Sequence, residues 1–132
     1  MKKLTLAQAA KPKRRYPETV TQISIVDTLK AVLPKGFKVV ATPNGGKRTP
    51  QAANRSKRLG ELPGFPDITV FGPDKFTAMM EVKSKTGTAS ADQKEVMFWL
   101  SDCGFPVAIV KDIDHALSFL AANGVPLRGK VS

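Results

Sequence analysis

Apolar residues recur at helical spacing soon after the N-terminus. Pro17-Glu18 is a helix opening, and the pattern runs to about Leu33, where Pro34 and Gly36 stop it. Two stripes compete for the buried face. One is Val20, Ile23, Val26 and Leu29; the other is Ile25, Leu29 and Val32. The pattern then turns β-rich. Strands are expected at Phe37 to Thr42, Asp67 to Phe71 and Thr77 to Lys83, with Gly72-Pro73-Asp74-Lys75 supplying turn chemistry between the last two. Ser90 begins a helix that carries Val96, Trp99 and Leu100 and ends at Gly104. Val107 to Val110 is a short apolar strand. Asp112 or Asp114 caps a final helix through Leu117 and Leu120, closed by Asn123-Gly124. The expected order is α-β-β-β-α-β-α. A hairpin followed by a crossover helix implies an α/β fold with a mixed sheet flanked by helices.

The 132 residues suit one domain, and 42% hydrophobic content suffices for a core. Residues 1–16 are expected to form a basic, flexible arm, 17–125 the folded domain and 126–132 a tail. The one cysteine, Cys103, excludes an internal disulfide and suits a reducing compartment. With His115 as the one histidine, a zinc site of His and Cys is disfavoured. No apolar run approaches the ~18 residues of a membrane span, so no membrane partner is expected. The basic N-terminus has no apolar segment behind it and does not read as a secretory signal.

Charge changes the picture. Twenty-one Lys and Arg against eleven Asp and Glu leave a net +10, which points to a polyanionic partner such as nucleic acid. The first fifteen residues hold six cations, Arg14 and Arg15 among them, and no acid. A second cluster comprises Lys47, Arg48, Arg55, Lys57 and Arg58, in a stretch from Pro43 to Gly60 rich in Pro, Gly, Asn, Ser and Thr. That composition reads as a long loop, either gripping DNA or merely solvated. Lys85, just past the third strand, extends the expected DNA contacts.

The acidic residues carry the candidate chemistry. Glu81 and Lys83 are two apart on a strand and share a face, while Val82 points the other way into apolar packing. If Phe71 pairs with Thr77, counting outward along the hairpin sets Asp67 opposite Glu81, with Cβ atoms about 4.5–5.5 Å apart. A slip of one residue would undo this. Opposed carboxylates repel, and a divalent cation offsets the repulsion better than Lys83 alone. Magnesium favours oxygen ligands and meets substrate phosphate. The set suits metal-assisted phosphodiester hydrolysis, with Lys83 orienting or deprotonating water and stabilising developing charge. The plain alternative is a charged hairpin face, since D…ExK patterns are common on exposed strands.

Neighbouring residues also carry two readings each. Ser90-Ala91-Asp92-Gln93 has the form of a capping box, or else Gln93 faces the acidic cluster. Glu18 adds a carboxylate to the site or complements its own helix dipole, with Gln22 on the same face. Asp27 and His115 are expected at the surface, Cys103 inert, and Trp99 and the phenylalanines in the core.

Taken together, Glu18-x-x-x-Gln22, the Gly64-x-Pro66-Asp67 motif, Glu81-Val82-Lys83 and Ser90-x-x-Gln93 resemble the virus-type replication–repair nuclease (VRR-NUC) branch of the PD-(D/E)XK nucleases. The resemblance spans about Glu18 to Leu120. It implies a restriction-endonuclease-like fold and a magnesium site in which manganese substitutes. Asp67 and Glu81 would be metal ligands assisted by the Val82 carbonyl, Lys83 the catalytic lysine, Gln93 an active-site helper and Glu18 an outer ligand. Stand-alone members of this size resemble phage or prophage Holliday-junction resolvases that act as homodimers on branched DNA, in a bacterial or phage-infected cytoplasm. The long basic stretch exceeds the family pattern and would reshape the DNA channel. A non-catalytic basic DNA binder and a duplex-specific restriction-like endonuclease stand as alternatives.

Overall fold

Ile25, Leu29 and Leu33 sit four residues apart, and this stripe is the one buried, with Leu33 taking the place expected of Val32, which is half-buried. In the computed structural model, which describes residues 17–43 and 49–128, it lies along helix α1 (Pro17–Val32) and its C-terminal edge. The competing stripe is not the core face: Val20 and Ile23 are 63% and 55% exposed. Spacing alone could not choose, because Val26 and Leu29 fit either arc.

The remaining elements are β1 (Lys38–Ala41), α2 (Pro50–Arg58), β2 (Ile68–Phe71), β3 (Thr77–Val82), α3 (Ala91–Asp102), β4 (Val107–Val110) and α4 (Ile113–Ala122). They form a four-stranded mixed sheet in the order β1-β2-β3-β4, antiparallel through β3 and parallel between β3 and β4. The fold class is as expected, and the element order gains one helix. Residues 50–58, read from composition as loop, are helical. Thr49 is the N-cap, its hydroxyl accepting from Ala52 N at 3.1 Å, and Pro50 occupies the first turn. Thr-Pro looked like turn punctuation but is a helix start. The helix buries no residue, so it has no apolar stripe to betray it.

The hairpin register is Phe71↔Thr77, Val70↔Ala78, Thr69↔Met79 and Ile68↔Met80. Side chains therefore alternate between two layers. Ile68, Val70, Ala78, Met80 and Val82 meet α1 and α4 in the larger core, which also holds Val110, Ala116, Leu120 and Val125. On the opposite face Met79 joins Val96 and Leu100 of α3, flanked by Phe65 and Val107. Thr69, Glu81 and Lys83 have the parity of Met79 and so belong to the α3 side. Ladder bonds continue one residue past the strand ends: Thr42 N donates to Asp67 O (2.9 Å) and Lys83 N to Val110 O (3.0 Å). The chain stays tied to the fold beyond residue 125 as well, since Arg128 N donates to Val32 O at 2.6 Å.

Several aromatics expected in the core are outside it. Trp99 and Phe98 are 52% and 76% exposed, and Phe71 and Phe105 are exposed too. α3 buries only its Val96 and Leu100 edge, and among the described residues no apolar layer covers its outer faces. His115, Asp27 and Cys103 are exposed or partly so, as expected of surface positions.

Candidate active site

Three elements deliver the site: the loop into β2, the end of β3 and the first turn of α3. Gly64 lets the first and third meet. Its φ is +89°, and a Cβ there would lie 2.7 Å from the Asp92 carbonyl carbon and oxygen and 2.9 Å from Gln93 N. Only glycine tolerates both the left-handed backbone and that approach. Two residues on, Pro66 is buried, and Asp67 enters the sheet beside β3. Its Oδ2 accepts a hydrogen bond from Val82 N at 2.9 Å.

Continued by one pair, the register sets Asp67 opposite Glu81. Glu81 is only 2% exposed. Its Oε2 accepts from Gln93 Nε2 at 2.8 Å and lies 3.5 Å from Lys83 Nζ. Its Oε1 is buried and has no hydrogen-bond partner among the described residues. Burial, and next the negative charge of Asp67, push the Glu81 carboxyl up from 4.5 to about 7, against the opposing pull of Lys83. Lys83 is itself nearly buried, an unusual place for an ammonium.

Gln93 satisfies both readings of its motif at once. Ser90 Oγ accepts from Gln93 N (3.2 Å), and Gln93 Oε1 accepts from Ser90 N (2.8 Å). The capping box consumes the amide oxygen and leaves Nε2 to donate to Glu81. The cap thus holds the side chain in the rotamer that reaches the carboxylate.

Glu18 is placed elsewhere along the strand end. Its Oε2 accepts from Ser84 N at 3.4 Å, and a Cβ at Gly87 would come within 3.2 Å of the same oxygen. Among the described residues no three His, Cys, Asp or Glu side chains gather as a metal cage. Gln22 is half-buried and lines a separate small cavity with Thr19 and Ile23. Of the expected DNA contacts, Arg55, Lys57 and Arg58 stand on α2, which buries none of its residues, and Lys85 is exposed with its carbonyl accepting from Lys111 Nζ at 2.9 Å. Arg14, Arg15, Lys47 and Arg48 lie outside the described residues. Lys111 and the close packing of Gly64 on α3 escaped sequence reasoning, because both depend on segments distant in the chain.

The donor set fits a hard divalent cation. Two carboxylates share the patch, and Glu81 Oε1 is buried without a hydrogen-bond partner among the described residues. The Val82 side chain is committed to the core, and its backbone N donates to Asp67 Oδ2.

No family model and no curated protein matches the chain. Solved structures do. One described as a "VRR_NUC domain protein" superposes with a TM-score of 0.63 at 21% identity, over 80% of this chain and 85% of its own. A second, "VRR_NUC domain", gives 0.55 at 17% identity, over 80% of this chain and 95% of its own. The chain has the VRR_NUC fold, a restriction-endonuclease-like mixed sheet flanked by helices. Among the described residues, no helix is long and apolar enough to cross a membrane.

Proposed function

We propose that this chain is a metal-dependent DNA endonuclease of the PD-(D/E)XK type that hydrolyses phosphodiester bonds in branched DNA. The observation that carries the proposal is Glu81: it is buried opposite a second carboxylate and keeps Oε1 unbonded even with Lys83 3.5 Å from Oε2, a cost that a divalent cation would offset. A protein that only neutralised phosphates would have no use for it.

Asp67 and Glu81 would hold the ion, with the Val82 carbonyl assisting. Magnesium, or manganese in its place, supplies Lewis-acid polarisation of the phosphodiester and neutralises its charge. Lys83 orients the attacking water and stabilises negative charge as it develops on the phosphate. Its ammonium lies 3.5 Å from Glu81, so it is held by the same carboxylate that would bind the ion. Gln93 locks the Glu81 rotamer through the 2.8 Å bond, pre-setting the ligand. Glu18 braces the strand end at Ser84, one residue past Lys83, and serves as an outer water ligand. Arg55, Lys57, Arg58 and Lys85 hold the DNA backbone, together with the cations of the N-terminal arm and of residues 47 and 48. A homodimer matches the two cuts that a four-way junction requires.

The test compares four-way junction, flap and linear duplex at equal salt, with magnesium or manganese and with EDTA. Metal-dependent cutting that favours branched substrates is expected. Asp67→Asn, Glu81→Gln and Lys83→Ala should each abolish it while binding persists. Cutting by all three variants at the parental rate would refute the site. Salt-sensitive binding with no metal-dependent product would make the chain a plain DNA binder.

A further inference from the structure

One strand over from Asp67, at Thr42, lies a cavity of about 610 Å³ that the proposed chemistry does not use, within the range of ligand pockets. Its walls are chiefly apolar, with Thr42, Phe65 and Trp99 among them, and carry one cation, Lys57, and one acid, Glu61. The extra helix α2 forms one side, and α3 contributes Trp99 to another. Two links tie it to the site. Thr42 N donates to the backbone oxygen of Asp67 at 2.9 Å, and Phe65 precedes Asp67 by two residues.

Charge selects what can enter. α2 carries Arg55, Lys57 and Arg58 and no acid, and Lys57 is itself in the wall. A smaller neighbouring cavity of about 280 Å³ shares Leu62, Pro63 and Trp99 but is bordered by Asp92 and Glu95. The three α2 cations outnumber Glu61 on one side, whereas Asp92 and Glu95 face no cation in the other wall, so a polyanion is drawn to the α2 side. A second copy of this chain fits poorly, since a two-fold contact here would bring two α2 cation sets together.

Resting on the nuclease reading, we infer that this cavity takes one unpaired nucleobase of the DNA substrate, stacked on Trp99, with the adjoining phosphates held by Lys57, Arg55 and Arg58. An aromatic face beside a cationic rim is the arrangement that binds an unstacked base without reading its sequence. A paired base cannot reach a concave pocket without leaving the duplex, and an already unpaired one enters at lower cost. The pocket would therefore select branch points and bulges over uninterrupted duplex, at a step before hydrolysis.

Trp99 is the only tryptophan, so all indole emission comes from the wall that this pocket shares with its smaller neighbour. The full chain in EDTA is titrated with three DNAs of one sequence: a paired duplex, the same duplex with a one-base bulge, and the bulge carrying an abasic residue. The bulge should quench Trp99 and bind roughly 5- to 150-fold more tightly than the paired duplex, and the abasic bulge should lose both effects. Trp99→Ala should erase the preference, measured by anisotropy of labelled DNA, and Trp99→Phe should restore part of it. Equal quenching by all three DNAs, or a preference that survives Trp99→Ala, would overturn the inference. So would a blue shift of emission with protein concentration in the absence of DNA, which would seat a second copy in the cavity. Metal-dependent cutting is scored separately. Cutting without bulge-specific quenching overturns the pocket alone, and bulge-specific quenching without cutting supports the pocket and overturns catalysis.

Discussion

Replacing Glu81 by glutamine should make the metal-free protein more stable and catalytically dead. The carboxyl titrates at about 7 in the fold and at 4.5 in its ordinary setting. Between those values the native state retains a proton that the unfolded chain has released, so stability falls as pH rises and the full loss is present above about pH 7. At 1.36 kcal/mol per tenfold change in proton affinity, the shift corresponds to about 3 kcal/mol. Glutamine has the same shape, stays neutral and still offers an oxygen to Gln93 Nε2. Part of the gain is offset because Lys83 loses its partner at 3.5 Å. The net expectation is a gain of about 1–3 kcal/mol at pH 8, fading to a few tenths near pH 4.5. Urea unfolding in EDTA, run on parent and variant across that range, measures it. Added magnesium should then stabilise the parent and leave the variant unmoved. A variant that is less stable at pH 8, or a difference that does not change with pH, would show that Glu81 carries no uncompensated charge, and the argument for a cation would go with it.

Other residues give independent tests. Gly64→Ala forces a Cβ to 2.7 Å from the Asp92 carbonyl at a φ of +89°, so it should cost at least about 1–3 kcal/mol; an unchanged urea midpoint would mean that the loop is not pinned to α3. Ser90→Ala removes the hydroxyl that accepts from Gln93 N and should cost about 1 kcal/mol by thermal unfolding. It should also slow cutting by loosening Gln93, whereas Ser90→Thr keeps both; equal rates for the two would separate the cap from the site. Replacing Arg55, Lys57 and Arg58 together by Ala should flatten the dependence of log affinity on log salt by about 0.9 for each phosphate no longer neutralised, up to three. An unaltered slope would take α2 off the DNA.

What the chain determined locally was legible in its letters. Two-residue periodicity and the Gly72-Pro73-Asp74-Lys75 turn decided the hairpin register, and with it that Asp67, Glu81 and Lys83 share a face. Ser90 and Gln93 declared the helix start between them. These outcomes follow from bonds spanning a few residues, which a local pattern encodes. Tertiary structure decided the rest. Which arc of α1 is buried depends on where α4 and the sheet lie. Residues 50–58 form a helix without any apolar stripe, and Trp99 stands half in solvent because, among the described residues, no apolar layer packs over that side of α3. The raised proton affinity of Glu81 arises from burial and from the carboxylate of Asp67, distant in sequence but adjacent in space. Alternation along β3 could say which way Glu81 points; its desolvation required α3 and the Gly64 loop to close over it, and that closure comes from segments brought together only by folding.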